Sequence, residues 1–211
     1  MPRLIEPREA NPAHDHMREL IARGEPISTS DFTRHIDRFG FGFLTPEALN
    51  VLSRTSPQEI LSVGTGLGYA EAQLEAYEFS ITGFDKTIHL NRWLHDTRNL
   101  SDAHDYNQWR EHALFMSFPD RTPTGASFSA SIVRDFCEAG GSKVIIITEK
   151  REHRHLFGSD RELYETLASL SLLDTVALPA WPQLDLLSMP FAGNGYTTFE
   201  PEMRVYEVVG K

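Results

Sequence analysis

Residues 59–69 read Glu59-Ile60-Leu61-Ser62-Val63-Gly64-Thr65-Gly66-Leu67-Gly68-Tyr69, and a second apolar run further on, Ile81-Thr82-Gly83-Phe84-Asp85, ends on an acid. A short apolar run, alternating glycines, a helix-like segment over Ala70 to Phe79 and a second apolar run together are the sequence form of a βαβ nucleotide pocket. The first run is rich in branched apolar residues, as a strand buried on both faces requires. Gly64 permits a tight turn at the strand's end, where positive φ is cheap only without a Cβ. Gly66 and Gly68 leave the backbone open to a ligand. Asp85, 21 residues after Gly64, is placed to accept hydrogen bonds from two ribose hydroxyls. A bare glycine triplet also fits an ordinary strand–helix turn; the buried strand before it and the acid after it favour the nucleotide.

Spacing separates the ligand classes. Glycines at 64, 66 and 68 make G-x-G-x-G, with Tyr at 69. A dinucleotide site reads G-x-G-x-x-G, its third glycine serving helix–strand packing. The pattern here resembles the first motif of class I S-adenosylmethionine-dependent methyltransferases, and Asp85 resembles their ribose-binding acid. The resemblance extends over residues 39–209. It is closest in character to small domains that pair Gly-x-Gly-x-Gly-Tyr with a strand running into Trp-Pro-Pro and a next strand ending in glycine–glutamate. The matching stretches are Gly64–Tyr69, Leu114–Asp120 and Val144–Glu149, and Leu178-Pro179-Ala180-Trp181-Pro182 resembles a later Leu-Pro-x-Trp motif. Two departures stand out. Ser62 occupies the place of the family's acid two residues before the first glycine, which weakens or reroutes the contact to the methionine amine. Trp-Pro-Pro becomes Phe118-Pro119-Asp120.

The resemblance implies an α/β fold: a doubly wound, mostly parallel seven-stranded sheet with an antiparallel terminal hairpin. It implies S-adenosyl-L-methionine as cofactor, bound by Ser62, Gly64, Thr65, Gly66, Gly68, Tyr69, Asp85, Ser117 and Phe118. Residues 39–211 are then one Rossmann-like S-adenosylmethionine-binding domain, and residues 1–38 an N-terminal lead-in with helices.

Composition narrows the partners. The chain has 211 residues, 40% of them apolar and 24% charged, enough for one full core. No apolar run approaches the roughly 20 residues of a membrane span, and the N-terminal stretch with Arg3, Glu6, Arg8 and Glu9 lacks a signal peptide's apolar core. Cys137 is the single cysteine, so a reducing cytoplasm is the simplest home. With 30 acids against 20 bases the net charge is −10, which repels nucleic-acid phosphates and points to a small-molecule substrate rather than nucleic acid or membrane. Oligomeric state is not legible.

Along the chain, Met17 to Ala22 and Asp31 to Arg38 read as helices. Phe39-Gly40-Phe41-Gly42-Phe43 alternates aromatics with glycines, so its rings are expected on one side of an extended segment, as a lid over the ligand or as core. Thr45-Pro46-Glu47 is a helix start. Ala113 to Asp120 and Ser142 to Glu149 read as buried strands, with a helix from Ser127 to Ala139 between them whose stripe is Phe128, Ile132, Val133 and Phe136. Asp160 to Leu170 reads as a helix, and Thr175–Pro179 and Met203–Val209 as strands. Residues 87–106 show no β pattern. His95, His104 and His112 are spaced by 9 and 8 residues, unlike metal ligands, so no metal site is assigned.

Ligands bind in open α/β sheets beyond the carboxyl ends of the strands, where strand order reverses. Gly64–Gly68, Ser117–Asp120 and Glu149 are therefore expected in one crevice. Asp120 is the first candidate for a general base or substrate-orienting group, with a turn residue after proline as the alternative. Glu149 is the second, with amine binding or helix capping as alternatives. Three functions remain open: methyl transfer to a small molecule; another use of the cofactor, such as cyclisation releasing methylthioadenosine; or an inactive binding module.

Overall fold

The computed structural model describes residues 11–89, 92–94, 96–99, 109–110, 112–119, 127–150, 160–185 and 196–209. Three helices lead the chain: α1 (Pro12–Ala22), α2 (Thr29–Phe39) and α3 (Pro46–Thr55). Each begins on a side-chain cap, with Asn11, Ser28 and Thr45 accepting from the N–H of His14, Asp31 and Ala48, which satisfies a donor that helical bonding leaves free. Strand–helix alternation follows: β1 (Glu59–Val63), α4 (Tyr69–Ala76), β2 (Ser80–Asp85), β3 (Thr97–Asn99), β4 (Ala113–Ser117), α5 (Phe128–Glu138), β5 (Lys143–Glu149), α6 (Arg161–Leu167) and β6 (Ser171–Ala177). The chain then makes β7 (Trp181–Asp185), β8 (Tyr196–Phe199) and β9 (Pro201–Glu207).

Seven strands form one sheet in the order β3-β2-β1-β4-β5-β9-β6. Pairing is parallel from β3 through β5, and β9 runs antiparallel between β5 and β6. The β6–β9 pair is the expected antiparallel terminal pair, with β6 beginning earlier than Thr175. Side chains alternate across the sheet because the strand period is two. From β1, Ile60 joins one apolar layer with Leu52 of α3 and Leu74 of α4. Leu61 and Val63 join the other with Val133 and Phe136 of α5 and Leu163 and Leu167 of α6. Both faces of the sheet are covered, so the parallel strands carry continuous apolar runs.

A third apolar cluster joins α1 and α2 to the small ribbon of β7 and β8. Phe32 of α2 packs edge-on against Trp181 and Phe199 at 5.1 and 6.1 Å between centroids. The stretch read as a long loop or irregular hairpin is thus paired at both ends, with Trp181 opposite Phe199; residues 186–195 lie outside those described. Among the described residues no helix is long and apolar enough to cross a membrane.

The structure differs from the sequence reading in three places that bear on the site. The third strand is three residues long, Thr97–Asn99, and pairs with Gly83–Asp85; a strand this short at a sheet edge has no room for a visible alternation. Strand β4 stops at Ser117 rather than Asp120, because Phe118 adopts a positive φ of 48°. The three phenylalanines of 39–43 do not share a side: Phe39 ends α2 and Phe43 is buried, while Phe41 is 38% exposed. The break is Gly40, which caps α2 at a φ of 79°.

Candidate functional site

A cavity of about 690 Å³ opens at the carboxyl ends of β1 and β4, where the strand order reverses direction. The glycine loop makes its floor. Gly64 donates its N–H to Phe84 O at 2.8 Å, and Gly68 donates to Thr65 O at 2.7 Å, closing the turn between β1 and α4. Gly64, Gly66 and Gly68 all have positive φ, at 78°, 52° and 70°. A Cβ on Gly64 or Gly66 would meet nothing within 4 Å, whereas one on Gly68 would lie 2.5 Å from Leu94 Cβ. The first two glycines keep space for a ligand; the third keeps space for the chain itself.

Asp85 closes the loop from the end of β2. Its Oδ2 accepts from Gly66 N–H at 2.7 Å and its Oδ1 from Thr87 N–H at 2.8 Å, and its side chain lines the cavity, 7% exposed. Each oxygen accepts one backbone hydrogen bond and keeps lone-pair capacity for another. Asp85 therefore sets the loop's shape as well as presenting a carboxylate.

The opposite wall is aromatic. Phe39, Phe41, Phe118 and Phe128 line the cavity with Met116 and Ser117. Phe118 is one of two non-glycine residues with positive φ among those described, a conformation that costs on the order of 1–3 kcal/mol and persists where surroundings enforce it. Here its N–H donates to Ile147 O at 2.9 Å and its ring packs 5.4 Å from Phe199 and 5.9 Å from Phe41. Phe128 is not part of the buried stripe of α5, as its spacing suggested. It is 40% exposed and sits at the cavity, while Ala130 is buried with Ile132, Val133 and Phe136.

Of the residues selected from sequence, Gly64, Thr65, Gly66, Gly68, Tyr69, Asp85, Ser117 and Phe118 all line this one cavity. Tyr69 has a second attachment, its hydroxyl donating to Asn11 Oδ1 at 3.0 Å and accepting from Ala13 N–H at 3.3 Å. Burial pushes its phenol up to about 12, so it stays protonated. Ser62 is not on the wall. It is wholly buried beneath the loop and donates to Glu71 Oε1 at 2.7 Å. Glu149 is buried at the end of β5, paired in register with Pro201, and is not brought to the cavity; the cavity spans β1 and β4, one strand short of it. Asp120 lies outside the described residues; Pro119, before it in the chain, lines the cavity.

Sequence reasoning missed Glu71. It lines the cavity from the first turn of α4, is 2% exposed, and is pushed up to about 7 by burial, against the Ser62 hydrogen bond. The available signal was an acid flanked in the first part of α4 by Tyr69, Ala70, Ala72, Gln73 and Leu74, none of them charged; these five and Glu71 are all buried. No group of three or more His, Cys, Asp or Glu side chains among the described residues is arranged to hold a metal. Cys137 is half-buried in α5 and its thiol is pushed up to about 11 by burial, the state of a packing residue.

No family model matches the sequence, and no curated protein matches it either. Solved structures do: 230 chains resemble this one. The crystal structure of Thermoplasma acidophilum 1320 aligns with a TM-score of 0.52 at 9% identity, covering 94% of this chain and 98% of that one. The shared fold is a doubly wound, mostly parallel seven-stranded sheet with one antiparallel strand, the architecture that the resemblance to class I, Rossmann-like methyltransferases led one to expect. TehB from Haemophilus influenzae aligns with a TM-score of 0.48 at 13% identity over 82% of this chain, which spans 65% of TehB's length. Magnesium protoporphyrin IX methyltransferase from Synechocystis aligns with a TM-score of 0.45 at 11% identity, covering 94% and 99%.

Proposed function

We propose that the chain is an S-adenosyl-L-methionine-dependent methyltransferase acting on a small-molecule acceptor. The observation that carries this reading is the convergence of the glycine loop, Asp85 and the Phe118 turn on one cavity at the strand-order reversal. The residues fit an adenosyl ligand carrying an amino-acid tail. Asp85 has acceptor capacity left for ribose hydroxyls, and Gly64 and Gly66 leave open space above the backbone. The Thr65 hydroxyl is buried on the same wall with no hydrogen-bond partner among the described residues, a group that a ligand would satisfy.

Adenosylmethionine, when bound, supplies a methyl group on a positively charged sulfur. The protein's share is to hold the acceptor in line and to exclude water. Phe41 and Phe128, exposed and on the cavity wall, offer an apolar seat for the acceptor. Asp120, next after Pro119 in the chain, is the acid proposed to orient or deprotonate it.

Incubation with S-adenosylmethionine and a panel of apolar amines, phenols and thiols, followed by mass spectrometry, is expected to yield S-adenosylhomocysteine. Methylthioadenosine formed without acceptor would instead mean cyclisation, and bound but unconverted cofactor a binding module. In thermal shift, ligand at 100 times its dissociation constant stabilises by about 2.7 kcal/mol. Asp85→Ala is expected to abolish that shift, and an unchanged shift would remove Asp85 from the ribose.

A further inference from the structure

The Glu71 carboxylate is a buried acid. It lines the cavity, is 2% exposed, and among the described residues no Lys, Arg or His pairs with it. Its partners are the Ser62 hydroxyl at 2.7 Å and its own backbone N–H. An ionised carboxylate buried in this way carries a large desolvation cost unless a positive charge meets it, and otherwise it takes up a proton. The groups facing it deepen the problem rather than relieve it: Asp85 from the end of β2 and Glu75 one turn along α4 both oppose its ionisation. Lys86 and His89 line the same cavity from beyond β2. The Thr65 hydroxyl on that wall is likewise buried with no hydrogen-bond partner among the described residues, a group that a ligand could satisfy.

Resting on the adenosylmethionine reading above, we propose that Glu71, carried by Ser62, receives the cationic amine of the ligand and gives up a proton to do so. The two residues act as a unit. Ser62 shares the face of β1 that looks toward α4, with Ile60, and an acid in its place would meet the Glu71 carboxylate directly. The serine instead supplies the one hydroxyl that fixes the carboxylate's direction. Ligand uptake then exchanges a proton for an ammonium, and the cavity is emptier of charge when free than when filled.

Calorimetric titration of the full chain tests this with two probes at pH 6 and pH 8. S-adenosylhomocysteine has the amine; methylthioadenosine has the adenosine half without it. With the carboxyl held at about 7, the wild type is expected to bind S-adenosylhomocysteine about 10-fold more tightly at pH 8 than at pH 6, and methylthioadenosine equally at both. Glu71→Gln is expected to lose at least 10-fold in S-adenosylhomocysteine affinity and all of its pH dependence, while still binding methylthioadenosine, which also reports that its pocket is folded. S-adenosylhomocysteine affinity that is flat with pH in the wild type, or unchanged in Glu71→Gln, overturns the role of Glu71 and leaves the adenosyl pocket standing. Failure of both compounds to bind the wild type overturns the adenosyl reading and this inference with it.

Discussion

At the scale of single residues, Glu71 links ligand recognition to stability. In the folded, ligand-free chain its carboxyl sits at about 7, against an ordinary value of 4.5. The folded state therefore holds a proton that the unfolded state releases, and Glu71's contribution to stability falls as pH rises from about 4.5 to about 7. Glu71→Gln removes that dependence. We expect the variant's melting temperature to be near or below that of the wild type at pH 5 and above it at pH 8, the gap corresponding to about 1–3 kcal/mol and each kcal/mol shifting the midpoint by roughly 2–4 °C in a chain of this size. A gap that does not change between the two pH values would show that the carboxyl titrates as an ordinary surface acid. Gly66 gives a complementary test. Its φ of 52° and the open space beyond it mean that Gly66→Ala costs about 1–2 kcal/mol of backbone strain and fills ligand space. Adenosyl binding is expected to fall by far more than stability, and equal losses in both would mean the glycine serves only the turn.

At the scale of elements, the cavity depends on how α4 grips the segment that precedes α3. Gln73 is 5% exposed, and its amide makes two bonds to one residue. Its Oε1 accepts from Leu44 N–H at 2.7 Å and its Nε2 donates to Leu44 O at 2.9 Å. This clamp fixes the stretch that carries Phe41 and Gly42 over the strand ends, where a Cβ on Gly42 would run into Ser117 Oγ. Gln73→Leu keeps the volume but strands a buried N–H, which costs about 1–3 kcal/mol. Urea denaturation is expected to show that loss, and hydrogen exchange to show Leu44 losing protection. Full protection at Leu44 would mean that the backbone holds this segment without the clamp.

At the scale of the molecule, the N-terminal helices are attached to the site through Tyr69. Its ring stands edge-on to Phe39 and Trp93 at 5.2 and 5.0 Å, while its hydroxyl bonds Asn11 and Ala13 at the start of α1. Tyr69→Phe is expected to lower stability by about 1 kcal/mol and to speed amide exchange across the first turns of α1, with methylthioadenosine affinity unchanged because the ring remains. Slow exchange in the variant would mean that apolar packing alone holds α1. A second contact in this layer is sensitive to acid. His16 and His35 meet through their Nδ1 atoms at 3.1 Å, and burial lowers the His35 value to about 3. That pair contributes stability above the ordinary histidine value and loses it as pH falls below about 6.5.

Local sequence alone determined the βαβ unit, because a buried parallel strand needs an apolar run on both faces and a ligand-facing turn needs residues without a Cβ. The helix cap at Thr45, the strand Lys143–Glu149 and, with the family resemblance, the candidates Gly64, Gly66, Asp85, Ser117 and Phe118 were legible before any fold was known. Only the tertiary structure decided which side chains with equal claims reach the cavity. Glu149 ends a strand as Ser117 does, yet the strand-order reversal lies between β1 and β4, so it is left outside. Ser62 and Glu71 are nine residues apart on different elements, and nothing local couples them. Strand period turns one toward α4, helix period turns the other toward β1, and the burial of both makes the pair a charge site that neither residue announces in sequence.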